Sequence, residues 1–310
     1  MVYSTTDFKH DFHNDWCSGC GDFGILSSIT KALVDMNLAP HELVMFSGIG
    51  CSGKTPHFVK TYGIHTLHGR GLPHALGGKL ANPNLQVLAV GGDGDGYGIG
   101  AGHFVNAGRR NIDIAYIVFN NEVYGLTKGQ ASPTLAKGLK PKSIPTPNIN
   151  ESINPISLAI TSGYTFIARA YAYDVKGTAE IISQAMNHKG MALVDIAQPC
   201  PTYNNLHTKE WFTPRVKKID SSYDGVVKDP NDRDEVIEKK VNAFKYSESL
   251  TEDDVPVGII YKIDLPTYEE RIKAQNPEIK LTSPATDEIY DPVTGKPTTD
   301  VTKLIESFKV

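Results

Sequence analysis

The chain has 310 residues, 40% of them hydrophobic and 21% charged, and a formal net charge of -4. That length can bury a sizeable core, as one large domain or one domain plus an appendage. The charge balance excludes the basic excess of a nucleic-acid binder, and no apolar run approaches a membrane span, Ile114 to Phe119 being the longest clear one.

The N-terminal stretch MVYSTTDFKHDFHNDW is polar and lacks the apolar core of a secretion signal. A cytoplasmic protein with reduced thiols is therefore expected. Trp16-Cys17-Ser18-Gly19-Cys20-Gly21 places a CxxC in a glycine-bearing turn, after which Asp22 can cap a helix to about Met36. Ile25, Leu26, Ile29 and Leu33 form its apolar face. Leu43 to Phe46 reads as a strand, followed by Ser47-Gly48-Ile49-Gly50-Cys51-Ser52-Gly53-Lys54-Thr55. His65 to Pro73 reads as a loop and Ala75 to Leu80 as a helical turn.

The chain is organised around Leu85 to Gln130. Leu85 to Val90 and Ile112 to Phe119 are short apolar runs of the kind that form buried strands, and Gly100 to Arg110 supplies a helix between them. This is a βαβ unit, whose two strands end at the same edge of a parallel sheet. The proline-rich segment after Gln130 reads as a long surface loop, a type that is usually functional. Helices are expected from Ser157 and over Ala179 to His188, and a buried strand over Met191 to Ile196 that ends in Gln198-Pro199-Cys200-Pro201. Beyond Tyr203 the chain is more charged. Asp229-Pro230 reads as a cap and first helical residue, with Val236, Ile237, Val241 and Phe244 as the apolar face. Val257 to Ile263 reads as a strand, and the remainder as extended and weakly structured. The expected fold is α/β: a mostly parallel sheet with helices on both faces over residues 1–220, and an irregular C-terminal extension over 221–310.

At the sheet edge the first strand delivers Gly92-Asp93-Gly94-Asp95 and the second Asn120-Asn121-Glu122-Val123. A carboxylate and an amide oxygen are hard ligands suited to magnesium. Glycines let backbone N–H groups approach a diphosphate closely. The pair reads as a magnesium-diphosphate site.

Three further patterns compete for the chain. Gly48 to Thr55 satisfies the P-loop pattern GxxxxGK[ST] after a strand, but the helix that should follow, Pro56 to Tyr62, is rich in β-branched and aromatic residues. A P-loop nucleotide hydrolase with a structural four-cysteine zinc site is the alternative reading. Gly96 to Ala101 fits the loose dinucleotide fingerprint GxGxxG/A, with Glu122 as a ribose acid, yet leaves Asp93 beside a pyrophosphate without a metal between them. The four cysteines, Cys17, Cys20, Cys51 and Cys200, are the third signal. Buried structural thiols, a closed zinc site and a four-iron cluster all accept a CxxC plus two remote cysteines. Small neighbours such as Ser18, Gly19, Gly50, Ser52 and Gly53 suit cluster sulfides, and a structural zinc has little reason to sit beside a diphosphate.

Gly92-Asp93-Gly94 followed across the crossover by Asn120-Asn121 resembles the thiamine diphosphate motif. With WCSGCGD, GIGCSGK, HTLHGRGLPHALGGK, NNEVYGLTKGQASPT and QPCPTYN in order, the chain resembles the β subunits of 2-oxoacid:ferredoxin oxidoreductases of the archaeal type with broad 2-oxoacid specificity. The likeness is dense over the first two-thirds and looser through HTKEWF and PTYEERI. It implies the diphosphate-domain fold of thiamine enzymes, with thiamine diphosphate, Mg2+ and a [4Fe-4S] cluster as cofactors.

On this chain the resemblance implies that Asp93, Asn121 and the Val123 carbonyl hold magnesium. Gly92, Gly94, Asp95 and His68 would line the diphosphate. Ile49, Gly50, Cys51 and Ser52 would pass beside the thiazolium, with Gly125, Leu126 and Thr127 against the cofactor and Leu126 as the wedge that keeps it bent. Cys17, Cys20, Cys51 and Cys200 would ligate the cluster, so Cys51 adjoins both groups and electrons have a short route. The implied reaction is coenzyme A-dependent oxidative decarboxylation of 2-oxoacids (pyruvate, 2-oxoglutarate, 2-oxobutyrate) to acyl-CoA and CO2, with electrons leaving singly to ferredoxin. Lys54 and Lys128 are candidates for the substrate carboxylate or coenzyme A phosphates. Thiamine enzymes also need a glutamate on the pyrimidine ring, usually from a second domain. That domain is not legible here, so an α (or fused αγ) partner subunit is implied, and neither nucleic acid nor membrane is an expected partner.

Overall fold

The structure is a computed structural model that describes residues 2–248, 254–279, 281–282, 288–298 and 301–308. Helix α1 (Gly21–Asp35) precedes strand β1 (Leu43–Ser47), the short helix α2 (Thr55–Phe58) and edge strand β2 (Tyr62–His65). Helix α3 (Gly71–Ala81) leads into β3 (Gln86–Gly92), α4 (Ala101–Arg110) and β4 (Ile114–Asn120). A small hairpin of β5 (Val123–Tyr124) and β6 (Gln130–Ala131) opens the long loop before α5 (Pro155–Ser162). Then come β7 (Phe166–Tyr171), α6 (Val175–Asn187), β8 (Met191–Ala197), α7 (Lys209–Phe212) and β9 (Val216–Lys218). The C-terminal part adds α8 (Arg233–Glu248), β10 (Val255–Lys262), α9 (Tyr268–Gln275) and α10 (Thr302–Ser307).

Eight strands form one sheet in the order β2-β1-β3-β4-β8-β7-β10-β9. The pairs from β2 to β7 are parallel, and β10 runs antiparallel to β7. Parallel strands covered on both faces are apolar at consecutive positions, which is why LVMFS and IAYIVF each read as an unbroken run. Alternate residues feed two cores. Val44, Phe46, Val87 and Val118 pack with α3, α4 and α5, whereas Leu43, Met45, Leu88 and Ile117 pack with α1 and α6. The expected mostly parallel sheet with helices on both faces is the observed architecture.

Register fixes the functional edge. Gly92 of β3 lies opposite Phe119 of β4, Ser47 of β1 opposite Val90, and Asn120 of β4 opposite Ala197 of β8. The loops that carry Cys51, Asp93, Asn121 and Cys200 therefore leave the sheet side by side.

Several local expectations change. Asp22 is not the helix cap: Cys20 holds that position, and Asp22 is buried in the first turn. The expected loop over His65 to Pro73 is shared between the end of β2 and the start of α3. Strands β2 and β7 have no counterpart in the sequence reading. Helix α8 begins at Arg233 rather than Pro230, because the Asp232 carboxylate accepts from the N–H groups of Asp234 and Glu235. Of its expected apolar face, Ile237, Val241 and Phe244 are exposed, while Ala243 and Ser247 turn inward. The stretch beyond Ile263, expected to be weakly structured, contains α9 and α10.

Candidate active site and cysteine centre

Three loops at the carboxyl ends of β1, β3 and β4 enclose a cavity of about 190 Å³. Ile49, Gly50, Cys51 and Ser52 come from the first, Gly92, Asp93, Gly94 and Asp95 from the second, and Asn121, Val123, Gly125, Leu126 and Thr127 from the third; His68 and Tyr124 complete the wall. The structure thus brings together every residue expected to line a cofactor site, and adds Tyr124.

The two aspartates do different work. Oδ1 of buried Asp95 accepts from the Ile49 N–H (3.0 Å), the Gly69 N–H (2.7 Å) and His68 Nδ1 (2.9 Å), which binds the first loop and the His68 loop to the second. This bond raises the His68 pKa. Gly48 makes the approach possible, since a Cβ there would lie 2.1 Å from the Asp95 carboxylate. Asp93 is also buried, and its Oδ2 accepts from the Glu122 N–H (2.9 Å), the Ser132 hydroxyl (2.5 Å) and the Thr134 hydroxyl (2.7 Å). Burial pushes the Asp93 carboxyl up to about 6 against those hydroxyls. Asn121 Oδ1 accepts from the Val123 N–H at 3.0 Å, which folds the third loop back onto itself. A buried carboxylate beside an amide oxygen and a backbone carbonyl fits a hard divalent ion. The glycine-rich wall fits a diphosphate.

The four cysteines surround a second cavity of about 160 Å³. Cys17 is exposed, Cys20 and Cys200 are buried, and Cys51 is intermediate. Burial and the nearby Asp22 carboxylate push the Cys20 thiol far up and the Cys51 thiol to about 12. Burial raises Cys200 as well, against backbone hydrogen bonds from Tyr203 and Asn204. Four free thiols around one cavity, with Lys54 at its wall, fit an electrophilic metal group, which would hold them as thiolates. Among the described residues no group of three or more His, Cys, Asp or Glu side chains is arranged to hold a single metal ion. Two ties position the centre: the Trp16 indole N–H donates to the Cys51 carbonyl (2.8 Å), and the Gln198 amide donates to Asp22 (2.5 Å) and faces Cys20 Sγ (3.6 Å). Cys51, Asn121, Gly125 and Leu126 line both cavities.

The two lysines fall elsewhere. Lys54 lines the cysteine cavity and pairs with Asp15 at 2.7 Å, and Lys128 is exposed at a left-handed position (φ 78°) outside both cavities. Helix α2 spans only four residues and begins with Thr55, so no helix N-terminus of useful length follows the P-loop pattern. The nucleotide-hydrolase alternative finds no support.

Ser132, Thr134 and the buried group behind them escaped the sequence reading. The signal was the ASPT string after Gln130, legible only as a family likeness. Asn120 Nδ2 donates to Asp195 Oδ1 (3.1 Å), which also accepts from the Tyr97 hydroxyl (3.0 Å), and Arg169 faces the other oxygen at 3.4 Å. Glu122 was also missed in its observed role: it is paired with His207, whose ring packs on Trp211.

Fold and cavity together define a thiamine pyrophosphate-binding domain. Residues 48–196 match the family model of the C-terminal TPP-binding domain of thiamine pyrophosphate enzymes, and residues 200–276 match that of the C-terminal region of the pyruvate ferredoxin oxidoreductase β chain. The chain is 55% identical over 303 residues to the 2-oxoacid:ferredoxin oxidoreductase subunit β of Saccharolobus solfataricus, covering 96% of this chain and 97% of that protein. It is 51% identical over 280 residues to subunit β of 2-oxoacid:ferredoxin oxidoreductase 1 of Aeropyrum pernix, covering 89% and 87% of the two chains. In structure it resembles the 2-oxoglutarate:ferredoxin oxidoreductase of Magnetococcus marinus, determined with 2-oxoglutarate, coenzyme A and succinyl-CoA bound (TM-score 0.85, 32% identity, 99% of this chain and 97% of that one). The chain belongs to the β subunits of the 2-oxoacid:ferredoxin oxidoreductases and is one subunit of an enzyme.

Proposed function

We propose that this chain carries the thiamine diphosphate, Mg2+ and [4Fe-4S] groups of a coenzyme A-dependent 2-oxoacid oxidoreductase. The single observation that carries the reading is the wall of Cys51, Asn121, Gly125 and Leu126 shared by a carboxylate-bearing cavity and a four-cysteine cavity. Asp93, Asn121 and the Val123 carbonyl hold the cation. Gly92, Gly94, Asp95 and His68 receive the diphosphate, Ile49 to Ser52 run beside the reactive ring, and Leu126 with Gly125 and Thr127 supports its bend. Cys17, Cys20, Cys51 and Cys200 hold the cluster. Thiamine diphosphate, when bound, supplies the electron sink for decarboxylation. Buried Asp93 would answer the cation's charge, and Asp95 keeps His68 at the wall that would receive the diphosphate.

The substrates are 2-oxoacids such as pyruvate, 2-oxoglutarate and 2-oxobutyrate, the acyl acceptor is coenzyme A, and the electron acceptor is ferredoxin. The bound 2-oxoglutarate and coenzyme A of the Magnetococcus marinus enzyme support that class. Lys128 meets a substrate carboxylate or a coenzyme A phosphate, and Lys54 does so if released from Asp15. Residues 1–220 form the cofactor-binding part and 221–310 an extension. An α (or fused αγ) subunit supplies the glutamate for the pyrimidine ring, so the isolated chain has no turnover. No helix among the described residues is long and apolar enough to cross a membrane, and a cytoplasmic enzyme fits.

The test is cofactor and metal analysis of the protein co-purified with its partner. Equimolar thiamine diphosphate and magnesium, with four iron and four acid-labile sulfide per chain and a brown colour, are expected. A colourless, zinc-bearing protein without thiamine overturns the proposal.

A further inference from the structure

The segment from Ser132 to Ile153 lines neither cavity but bonds to a wall residue of each, Asp93 of the first and Tyr203 of the second. Its base is closed by the Ile153 N–H donating to the Pro133 carbonyl (2.8 Å). Inside, the Asn148 amide donates to the Leu135 carbonyl (2.7 Å), and the Gly138 and Asn148 N–H groups bond to Asn148 and Leu139 carbonyls (2.7 and 2.9 Å). At its far end the Ser143 hydroxyl lies 2.6 Å from the Gly129 carbonyl and 3.1 Å from the Tyr203 carbonyl, and the Lys142 N–H donates to Asn205 Oδ1 (2.6 Å). Gly129 ends the loop that walls the first cavity, and Tyr203 lines the second. This is one folded strap rather than a string of independent turns.

At the base sits the Asp93 carboxylate. A carboxylate free to rotate offers either oxygen to a cation. Here Oδ2 is held by Ser132 at 2.5 Å and Thr134 at 2.7 Å, besides the Glu122 N–H. The Thr134 hydroxyl has one proton and three oxygens in range, Asp93 Oδ2 at 2.7 Å, Asn120 Oδ1 at 2.8 Å and Ser132 Oγ at 3.1 Å, and the charged carboxylate is the strongest acceptor among them. Asn120 cannot turn its oxygen aside, because its amide nitrogen is committed to buried Asp195, itself held by Tyr97 and Arg169. The sheet thus fixes Asn120, the Asp93 carboxylate accepts the Thr134 hydrogen bond, and the two hydroxyls hold Oδ2, so that Oδ1 is the oxygen they leave to a cation.

We propose that Ser132 and Thr134 are positioning residues for the cation-binding oxygen of Asp93, and that they couple the ordering of the 132–153 strap to cation binding. This rests on the reading of the first cavity as a Mg2+-diphosphate site. The coupling is reciprocal: if the folded strap favours the cation, the cation favours the folded strap by the same factor. Loss of one hydrogen bond to a buried charged group weakens binding roughly tenfold or more.

The test uses the full chain with its partner subunit, stripped of cofactors, and titrates Mg2+ at saturating thiamine diphosphate by calorimetry. Amide exchange over residues 135–148 is followed in parallel. Ser132→Ala and Thr134→Val are each expected to raise the Mg2+ half-saturation about tenfold, and Thr134→Ser to restore it to within about twofold. In the native complex, Mg2+ with thiamine diphosphate slows exchange in the strap about tenfold, and the two variants lose that protection although their spectra and melting curves show them folded. If Asp93→Asn abolishes binding while Ser132→Ala and Thr134→Val titrate like the native protein, the positioning role is wrong and the site reading stands. If the native complex binds neither Mg2+ nor thiamine diphosphate, both fall. Weakened binding with unchanged strap exchange refutes the coupling.

Discussion

Asp93 and Asp95 stand two residues apart, are both buried, and differ in what surrounds them. Asp95 accepts two backbone N–H groups and the His68 imidazole on one oxygen and acts as a bracket between loops. Asp93 is held by two side-chain hydroxyls and by the Glu122 and Gly94 backbone instead, and burial opposes its charge. Asp93→Asn should therefore leave the cofactor-free chain as stable as the native one at neutral pH or a few degrees more so, while thiamine diphosphate retention falls at least about a hundredfold. Thermal melts of stripped protein and cofactor content after gel filtration check both halves. Lys128 gives a second opposition of this kind. Its left-handed backbone (φ 78°) carries a strain of about 1 kcal/mol that glycine relieves. Lys128→Gly is expected to be neutral to slightly stabilising, yet to raise the apparent KM for the 2-oxoacid or coenzyme A several-fold; unchanged kinetics would remove Lys128 from the site.

At the level of elements, what the sequence made legible follows from where each element is buried. Strands β3, β4 and β8 are covered on both faces, so their apolar runs and the glycines or prolines after them were readable. Strand β7 was not, because Arg169 interrupts its run; the charge is tolerated only through Asp195 on the neighbouring strand, a pairing invisible in one dimension. Strand β2 is exposed at all four positions and has no burial pattern to read. Helix α8 misled through real periodicity: its apolar residues are spaced for a helix, but the surface it packs against covers the side bearing Ala243 and Ser247. Of the first-cavity residues, Asp93 and Asn121 were legible because each directly follows a buried strand, and His68 and Gly125 to Thr127 only through the family likeness, whereas Ser132 and Thr134 arrive from a loop whose path no local rule sets. Helix α1 also depends on an unseen contact. A Cβ on Gly24 would lie 2.0 Å from the Ala172 carbonyl oxygen, between β7 and α6. Gly24→Ala should cost about 1–3 kcal/mol by overpacking, and by lifting α1 it should draw Cys17 and Cys20 away from Cys51 and Cys200. With the proposed cluster on those cysteines, iron content falling together with melting temperature is the expected result.

Across the whole molecule, the parallel order collects chemistry at one edge while the antiparallel β10 turns the C-terminal part away from it. Stability is spread through the two cores, and a buried titrating group, His188, sits in the turn before β8. His188 donates to or accepts from Thr165 at 2.8 Å, and burial lowers its pKa to about 4. The unfolded chain then binds more protons between pH 6.5 and 4, so the folded state loses stability as pH falls through that window, by up to about 3 kcal/mol. Melting temperatures at pH ~7.5 and ~5 should diverge more in the native protein than in His188→Gln; equal slopes would assign the acid lability elsewhere.

The partition made by Cys51, Asn121, Gly125 and Leu126 is one residue thick, and each of its faces belongs to a different chamber. Neither chamber can be lifted into another scaffold alone, because removing one strips a side from the other. A designer who wanted either chamber would have to transplant both as a single block, since a substitution at any of those four positions changes two linings at once.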